Sequence, residues 1–227
     1  PKSIKAHEEV LEHYDVSSLF LDREVADQIK ARSLTWAEFG GTHPKPAGNA
    51  IASELVADLL NYAWVNPLPN EAKKTIRSIP KKTIDASSFF NGRFLSPGST
   101  EYEKGWKWHV PDWKNIPGGF RNTFAGMKLL CSDKSNDVVT FEFEGRAVGA
   151  FVLAGPDAGT LKVSINNEPF RSINLYHHYS KNLHYPRTVM FATDLPQKIH
   201  KVSIRLAKPQ ESEQKRRAAR ILQFTLN

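Results

Sequence analysis

The hydrophobic pattern of the first sixty residues predicts helices separated by one short strand. From Ser3 to Tyr14, apolar residues recur every three or four positions and line one face of a helix. A second helix is predicted from Asp22, and a third from about Ala47 to Trp64. The buried stripe of the third helix is predicted to comprise Ile51, Leu55, Leu59 and Tyr62. Apolar positions from Val16 to Leu21 predict the strand.

This order of elements is typical of an α/β layer protein. One strand cannot form a sheet, and amphipathic helices need a sheet to cover. We therefore expect residues 1–66 to be the last part of an α/β domain whose earlier strands lie outside this chain. Prolines and a basic composition over 67–83 predict a linker.

From Ile84 onward the hydrophobic period changes to two. Val139, Phe141 and Phe143 alternate with polar neighbours, and an Asn166-Asn167 pair predicts a turn after another alternating segment. Further strands are predicted around Ala147–Leu153, Leu161–Ile165, Ile173–Leu175, Val189–Phe191, Val202–Leu206 and Ile221–Leu226. Many short strands without a long helix predict a β-sandwich of jelly-roll type over 84–227.

Composition narrows the possible partners. The formal net charge of +7 allows nucleic acid or an acidic polymer as partner. The positive charge is spread along the chain, and the sequence contains no signature of a nucleic-acid-binding module. An anionic polysaccharide is the alternative partner. The one dense basic run, 215–220, is interpreted as a solvated loop. Because Cys131 is the single cysteine, an internal disulfide framework is excluded. Its side chain is interpreted as a small buried hydrophobic group.

The candidate chemistry centres on His43, in the loop Phe39-Gly40-Gly41-Thr42-His43-Pro44-Lys45-Pro46-Ala47-Gly48-Asn49. Histidine has an unperturbed pKa near neutrality and can accept and return a proton. A following proline at the mouth of a helix restricts the loop that carries it. The alternative is an ordinary surface histidine.

The segment from Val10 to Leu60 resembles the C-terminal end of SGNH (GDSL-type) hydrolases, whose domain is a three-layer α/β/α fold. In that family the last block is an aspartate, two residues and the catalytic histidine, usually followed by proline and a helix with an early glycine. His43-Pro44 and Gly48 match this block. The second part resembles β-sandwich domains appended to bacterial SGNH-type carbohydrate esterases, at Gly155–Gly159 and Leu183–Pro186.

Two departures qualify what this resemblance implies for catalysis. Gly40 stands at the aspartate position and cannot orient an imidazole, so Glu38 or a backbone carbonyl would orient His43; a solvated loop carboxylate is the alternative for Glu38. The Gly-Asp-Ser nucleophile block and the oxyanion-hole blocks are absent from these residues. The serine would then come from the N-terminal half of the hydrolase domain, either missing here or a separate chain.

The resemblance implies a serine esterase that hydrolyses O-acyl, above all O-acetyl, esters on a poly- or oligosaccharide. It also implies a secreted or periplasmic location. We expect no cofactor or metal, and neither nucleic acid nor a membrane as partner. Two alternatives stay open. One is a non-catalytic glycan-binding protein with a degenerate hydrolase remnant, and the other is a general lipolytic esterase.

Candidate substrate-binding residues lie in the second part of the chain. Trp106 and Trp108, near Trp113, could stack on sugar faces, and core packing is the alternative. Asp157, His184 and Arg187 are further candidates, with structural roles as the alternative. The His- and Tyr-rich segment 176–185 matches no common zinc spacing. A substrate-facing loop or a plain structural loop is predicted there.

Overall fold

A computed structural model describes residues 2–65, 76, 78–211 and 215–227. The chain divides into two compact units, Pro1–Ala86 and Ser87–Asn227, which are described separately below. Most of the predicted linker, residues 67–75 and 77, lies outside the described residues. Within the described part, no helix is both long enough and apolar enough to cross a membrane.

The described elements of the first unit are helices. Their bounds are α1 Lys2–His13, α2 Leu21–Lys30, α3 Trp36–Phe39 and α4 Pro46–Ala63. The three predicted helices are confirmed, and each end that was predicted lies within one residue of the observed one. The short α3 was not predicted, because four residues are too few to show helical periodicity.

The predicted strand at Val16–Leu21 is wrong. Residues 16–20 have no regular structure, and Leu21 already begins α2. An extended segment forms a strand only with a hydrogen-bonding neighbour, and no other strand occurs among the described residues of this unit. The predicted α/β layer therefore stays a prediction.

The first unit has a small core and a large exposed apolar surface. Its buried hydrophobic residues are Val25, Leu34, Phe39 and Ile51, with Leu21 packed against them. The predicted stripe of α4 is wrong beyond Ile51, because Leu55 and Leu59 are only half-buried and Tyr62 is 82% exposed. Helix α1 buries no residue at all.

The second unit is a β-sandwich, as predicted. Its strands are β1 Arg93–Leu95, β2 Glu101–Tyr102, β3 Lys107–His109, β4 Leu129–Ser132, β5 Val138–Gly145, β6 Val148–Ala154, β7 Thr160–Ile165, β8 Arg171–Asn174, β9 Tyr185–Ala192, β10 Lys198–Leu206 and β11 Ala219–Leu226. The first sheet has the order β3-β4-β11-β6-β9, with β1 also paired to β11. The second has the order β2-β5-β10-β7-β8, and all strand pairs are antiparallel.

The sandwich core lies between the two sheets and is built from the alternating positions. In β5, Val139, Phe141 and Phe143 point inward and are buried, as their spacing predicts. Strand β11 lies in the middle of the first sheet, and Ile221 and Phe224 on it are fully buried. Asn166 and Asn167 both adopt positive φ, which confirms the predicted turn.

Candidate functional site

The loop that carries His43 is braced at both ends by backbone hydrogen bonds. Helix α3 ends at Gly40, whose φ of 110° lies in the left-handed region, and the Gly40 N–H donates to Trp36 O at 3.1 Å. The Lys45 N–H donates back to Phe39 O at 2.8 Å. The His43 side chain is exposed, and the described part of the chain gives its ring no hydrogen-bond partner. The ring is thus available to a group from outside these residues.

Gly48 lets α4 approach α3 closely, directly behind this loop. A Cβ atom at Gly48 would lie 2.5 Å from Phe39 O and 2.9 Å from a ring carbon of Phe39. No larger residue fits without moving one helix. The early glycine of the helix therefore fixes where the loop leaves α3 and where it enters α4.

Glu38 caps α3 and does not contact His43. Its Oε2 accepts hydrogen bonds from the Thr35 hydroxyl at 2.7 Å and from the Thr35 N–H at 2.8 Å. The Glu38 N–H in turn donates to Thr35 Oγ1 at 3.2 Å, which completes a capping box. The Thr35 hydroxyl, and then the Thr35 N–H, hold the pKa of Glu38 below its ordinary value. The predicted orienting role of Glu38 is replaced by this local one.

Gly40 cannot be replaced by an aspartate in this backbone. A Cβ atom there would lie 2.4 Å from Lys45 N and 2.5 Å from His43 O. Together with the capping role of Glu38, this leaves the described residues without a carboxylate hydrogen-bonded to the imidazole. Any orienting group, a backbone carbonyl included, would therefore come from outside these residues.

The two predicted sugar-stacking tryptophans of the sandwich pack into its core. Trp106 is 2% exposed, and its indole N–H donates to Asp137 O at 2.9 Å. Trp108 is half-buried against the same core. The core-packing alternative therefore holds for Trp106, whose ring faces are closed to a sugar.

His184 and Arg187 make structural contacts. His184 has no exposed surface, and its Nε2 hydrogen-bonds to Pro117 O at 3.1 Å, so the prediction that it faces substrate is wrong. Burial lowers the pKa of His184, and its Nδ1 has no partner among the described residues. Arg187 is half-buried and donates to Leu175 O at 3.4 Å and Tyr176 O at 3.5 Å. His184 is therefore closed to a ligand, and substrate binding by Arg187 stays a prediction.

Asp157 forms a buried, two-bond ion pair with Arg220. The Arg220 guanidinium donates to Asp157 Oδ1 at 2.8 Å and to Oδ2 at 2.7 Å. Arg220 lies in β11 and is 7% exposed, so the interpretation of its basic run as a solvated loop is wrong for this residue. The pair is a fixed part of the sandwich.

A cleft of about 1000 Å³ opens beside this ion pair, on the first sheet of the sandwich. The register aligns Lys107 of β3, Cys131 of β4 and Arg220 of β11 in one row across three neighbouring strands. Burial raises the pKa of the Cys131 thiol to about 12, which makes it a poor nucleophile. Sequence reasoning missed this cleft, because its lining comes from segments far apart along the chain.

The His- and Tyr-rich segment forms a cluster of rings. His177 stacks on Tyr185 with ring centroids 4.9 Å apart, and His178 lies against Tyr179 at 4.0 Å. In the part of the chain that the structure describes, no three His, Cys, Asp or Glu side chains are grouped so that they could hold a metal ion.

Comparison with known proteins finds similar structures and no matching sequence family. No protein-family profile and no curated protein sequence matches the chain. The structure is similar to a two-domain esterase active on acetylated mannans, co-crystallised with mannopentaose, at a TM-score of 0.69 and 13% identity over 97% of this chain. A second structure of a two-domain esterase active on acetylated mannans gives a TM-score of 0.63 at 14% identity over 97%.

The chain spans little more than half of these neighbours, 57% and 58% of their length. A family two carbohydrate esterase from Cellvibrio japonicus is similar at a TM-score of 0.40, with 15% identity over 60% of this chain and 33% of that one. At such low identity, the likeness to the two-domain esterases shows a shared fold over the aligned part of each chain.

Proposed function

We propose that these residues are part of an SGNH-type serine esterase that removes O-acyl groups, above all O-acetyl groups, from a carbohydrate. The observation that carries the proposal is His43, exposed on a braced loop at the start of α4 with an unpartnered ring. A general base must be held in place and yet be open to the proton it abstracts. The His43 loop meets both requirements.

The exposed apolar surface of the helical unit supports a further polypeptide packed against it. Apolar side chains on α4 and its C-terminal end stand in solvent, including Leu60, Tyr62, Trp64 and Val65, which are between 39% and 82% exposed. Several large apolar side chains exposed within six residues are typical of a surface that another polypeptide covers. The proposal assigns it to the strands of the hydrolase domain, which would also bring the serine to His43.

In the proposed mechanism, His43 takes the proton of the serine hydroxyl as its oxygen attacks the ester carbonyl. The C–O bond to the sugar breaks, and His43 returns the proton to the departing sugar alcohol. Water, deprotonated by the same ring, then releases the carboxylic acid and restores the serine. A backbone carbonyl or a side chain from outside the described residues would orient the ring, because Glu38 is bound to Thr35.

The first substrates to test come from the structural neighbours. Two of them are esterases active on acetylated mannans, so an acetylated mannan and a simple aryl acetate form the first panel. Activity on the polysaccharide supports the carbohydrate esterase, whereas activity on the aryl ester alone favours a general lipolytic esterase.

The test is His43→Ala in the full-length polypeptide that contains these residues. We expect deacetylation to fall at least about a hundredfold, since a general base contributes roughly 10²–10⁴ in rate. His7→Ala is the matched control, because His7 is another exposed histidine of the same unit. Partial rescue of the His43 variant by added imidazole separates a lost proton carrier from a misfolded protein. Undiminished activity of the His43 variant would end the proposal.

A second candidate function is glycan binding without hydrolysis. It is favoured by Gly40 and Glu38, because neither supplies the carboxylate that usually orients a catalytic histidine. Glycan binding by the full-length polypeptide, with no hydrolysis of any acetylated panel member, is the result that would select it.

A further inference from the structure

The cleft on the first sheet of the sandwich carries an excess of positive charge. Its lining includes six cationic side chains, Lys104, Lys107, Lys134, Lys215, Arg217 and Arg220, against the two carboxylates of Asp133 and Asp157. Asp157 is already neutralised by Arg220. The other five cations are exposed, and the described residues offer their side chains neither an ion pair nor a hydrogen bond. The cleft therefore holds uncompensated positive charge.

The architecture keeps this charge in one place. Lys107 shares the row across the strands with Cys131 and Arg220, so it stands on the same face of the sheet as the buried pair. The Asp157–Arg220 pair anchors the loop after β6 to β11 and forms one wall of the cleft. A concave site lined by one sign of charge concentrates ligands of the opposite sign.

We infer that this cleft binds a glycan chain that carries anionic groups, carboxylate or sulfate. Its volume of about 1000 Å³ lies at the upper end for ligand sites and suits several sugar residues. Lysine and arginine bind carboxylate and sulfate oxygens through charge-assisted hydrogen bonds. In the proposed esterase, the cleft would hold an acidic region of the acylated polysaccharide.

The lining favours a glycan over a nucleic acid. Apart from His109, it contains no aromatic residue among the described positions, so unpaired bases would find no stacking platform. The choice of a glycan also rests on the proposed carbohydrate-directed function. The same lack of aromatic rings disfavours a neutral glycan, whose sugar faces would have nothing to stack on.

The test is calorimetric titration of the full-length polypeptide carrying His43→Ala, so that hydrolysis does not interfere. The probes are an oligogalacturonate, a sulfated oligosaccharide of similar length, a neutral manno-oligosaccharide and a single-stranded DNA oligomer. The binding variant is Lys107→Gln with Lys134→Gln. Lys198→Gln is the matched control, because Lys198 is an exposed lysine on β10 of the other sheet.

We expect an anionic oligosaccharide to bind, with affinity that falls as salt rises and drops about tenfold in the double lysine variant. The control variant should bind like the parent. The carboxylated and sulfated arms identify which anion is preferred. The inference is overturned if neither anionic oligosaccharide binds, if the double variant binds as tightly as the control, or if DNA binds more tightly than both. Undiminished esterase activity in the His43 variant would end the proposed function, yet binding of an anionic oligosaccharide that the lysine variant weakens would leave this site standing, so the two proposals can fail separately.

Discussion

Breaking the Asp157–Arg220 pair should destabilise the sandwich by about 3 kcal/mol. Arg220 is 7% exposed in the unsubstituted protein. In Asp157→Ala its guanidinium loses two charge-assisted hydrogen bonds. Removing one partner of a buried pair costs about 3–5 kcal/mol. The lower end applies because the Asp157 side chain is 18% exposed and the adjoining cleft admits water. For a unit of this size, the midpoint of thermal unfolding should fall by about 6–12 °C.

The assay is unfolding in urea, monitored by pulsed hydrogen exchange. Peptides from β11 report the unfolding of the sandwich unit alone. The charge-free double variant Asp157→Leu with Arg220→Met should regain most of the lost stability, because it leaves no buried charge. Lys198→Gln is a contrasting control in the same unit, because its exposed charge on β10 can be removed with little change in the free energy of unfolding. A loss below about 1 kcal/mol in Asp157→Ala would show that water already solvates Arg220 and would refute the reasoning.

Two further predictions concern buried titratable groups. Burial lowers the pKa of His184 below its ordinary 6.5, so the unfolded chain binds more protons there and unfolding becomes easier as pH falls below about 6.5. His184→Gln should flatten the fall in unfolding free energy between pH 7.5 and 5.5, and an unchanged slope contradicts the assignment. Cys131, with a pKa of about 12, should react with iodoacetamide at pH 8 at least about a hundredfold faster in urea than in the native protein. Equal rates would mean that its thiol is open to solvent.

The sandwich was predictable because its signal is local. In segments such as Val138–Gly145, the alternation of apolar and polar residues indicates which side chains point into the core. The Asn166-Asn167 pair indicates a turn that needs two positive φ angles. The helices were predictable for the same reason. Burial along α4 was not, because periodicity shows which face is apolar and does not show whether a neighbour covers it.

The candidate sites also differ in how far local sequence could predict them. The His43 loop could be found from its own residues, since glycine, histidine and proline occur together at a helix start. The role of Glu38 was mistaken because the capping box with Thr35 competes for the same carboxylate. The basic cleft left only a partial trace in the sequence, the basic run at 215–220 that supplies Lys215, Arg217 and Arg220. Lys107 and Arg220 are far apart in the chain, and only the strand order places both beside β4.

The central position of β11 has a consequence for biosynthesis. Leu226 pairs with Arg93 of β1 and with Val148 of β6, although β1 comes first and β11 last among the described strands of the sandwich. Until the ribosome has translated the segment from Ala219 onward, β4 and β6 lack the strand that lies between them, and the strand edges that pair with β11 stay unpaired. Strand edges left open in this way invite pairing with other nascent chains. The sandwich must therefore close after translation of β11, and a premature stop before that strand should yield an insoluble product.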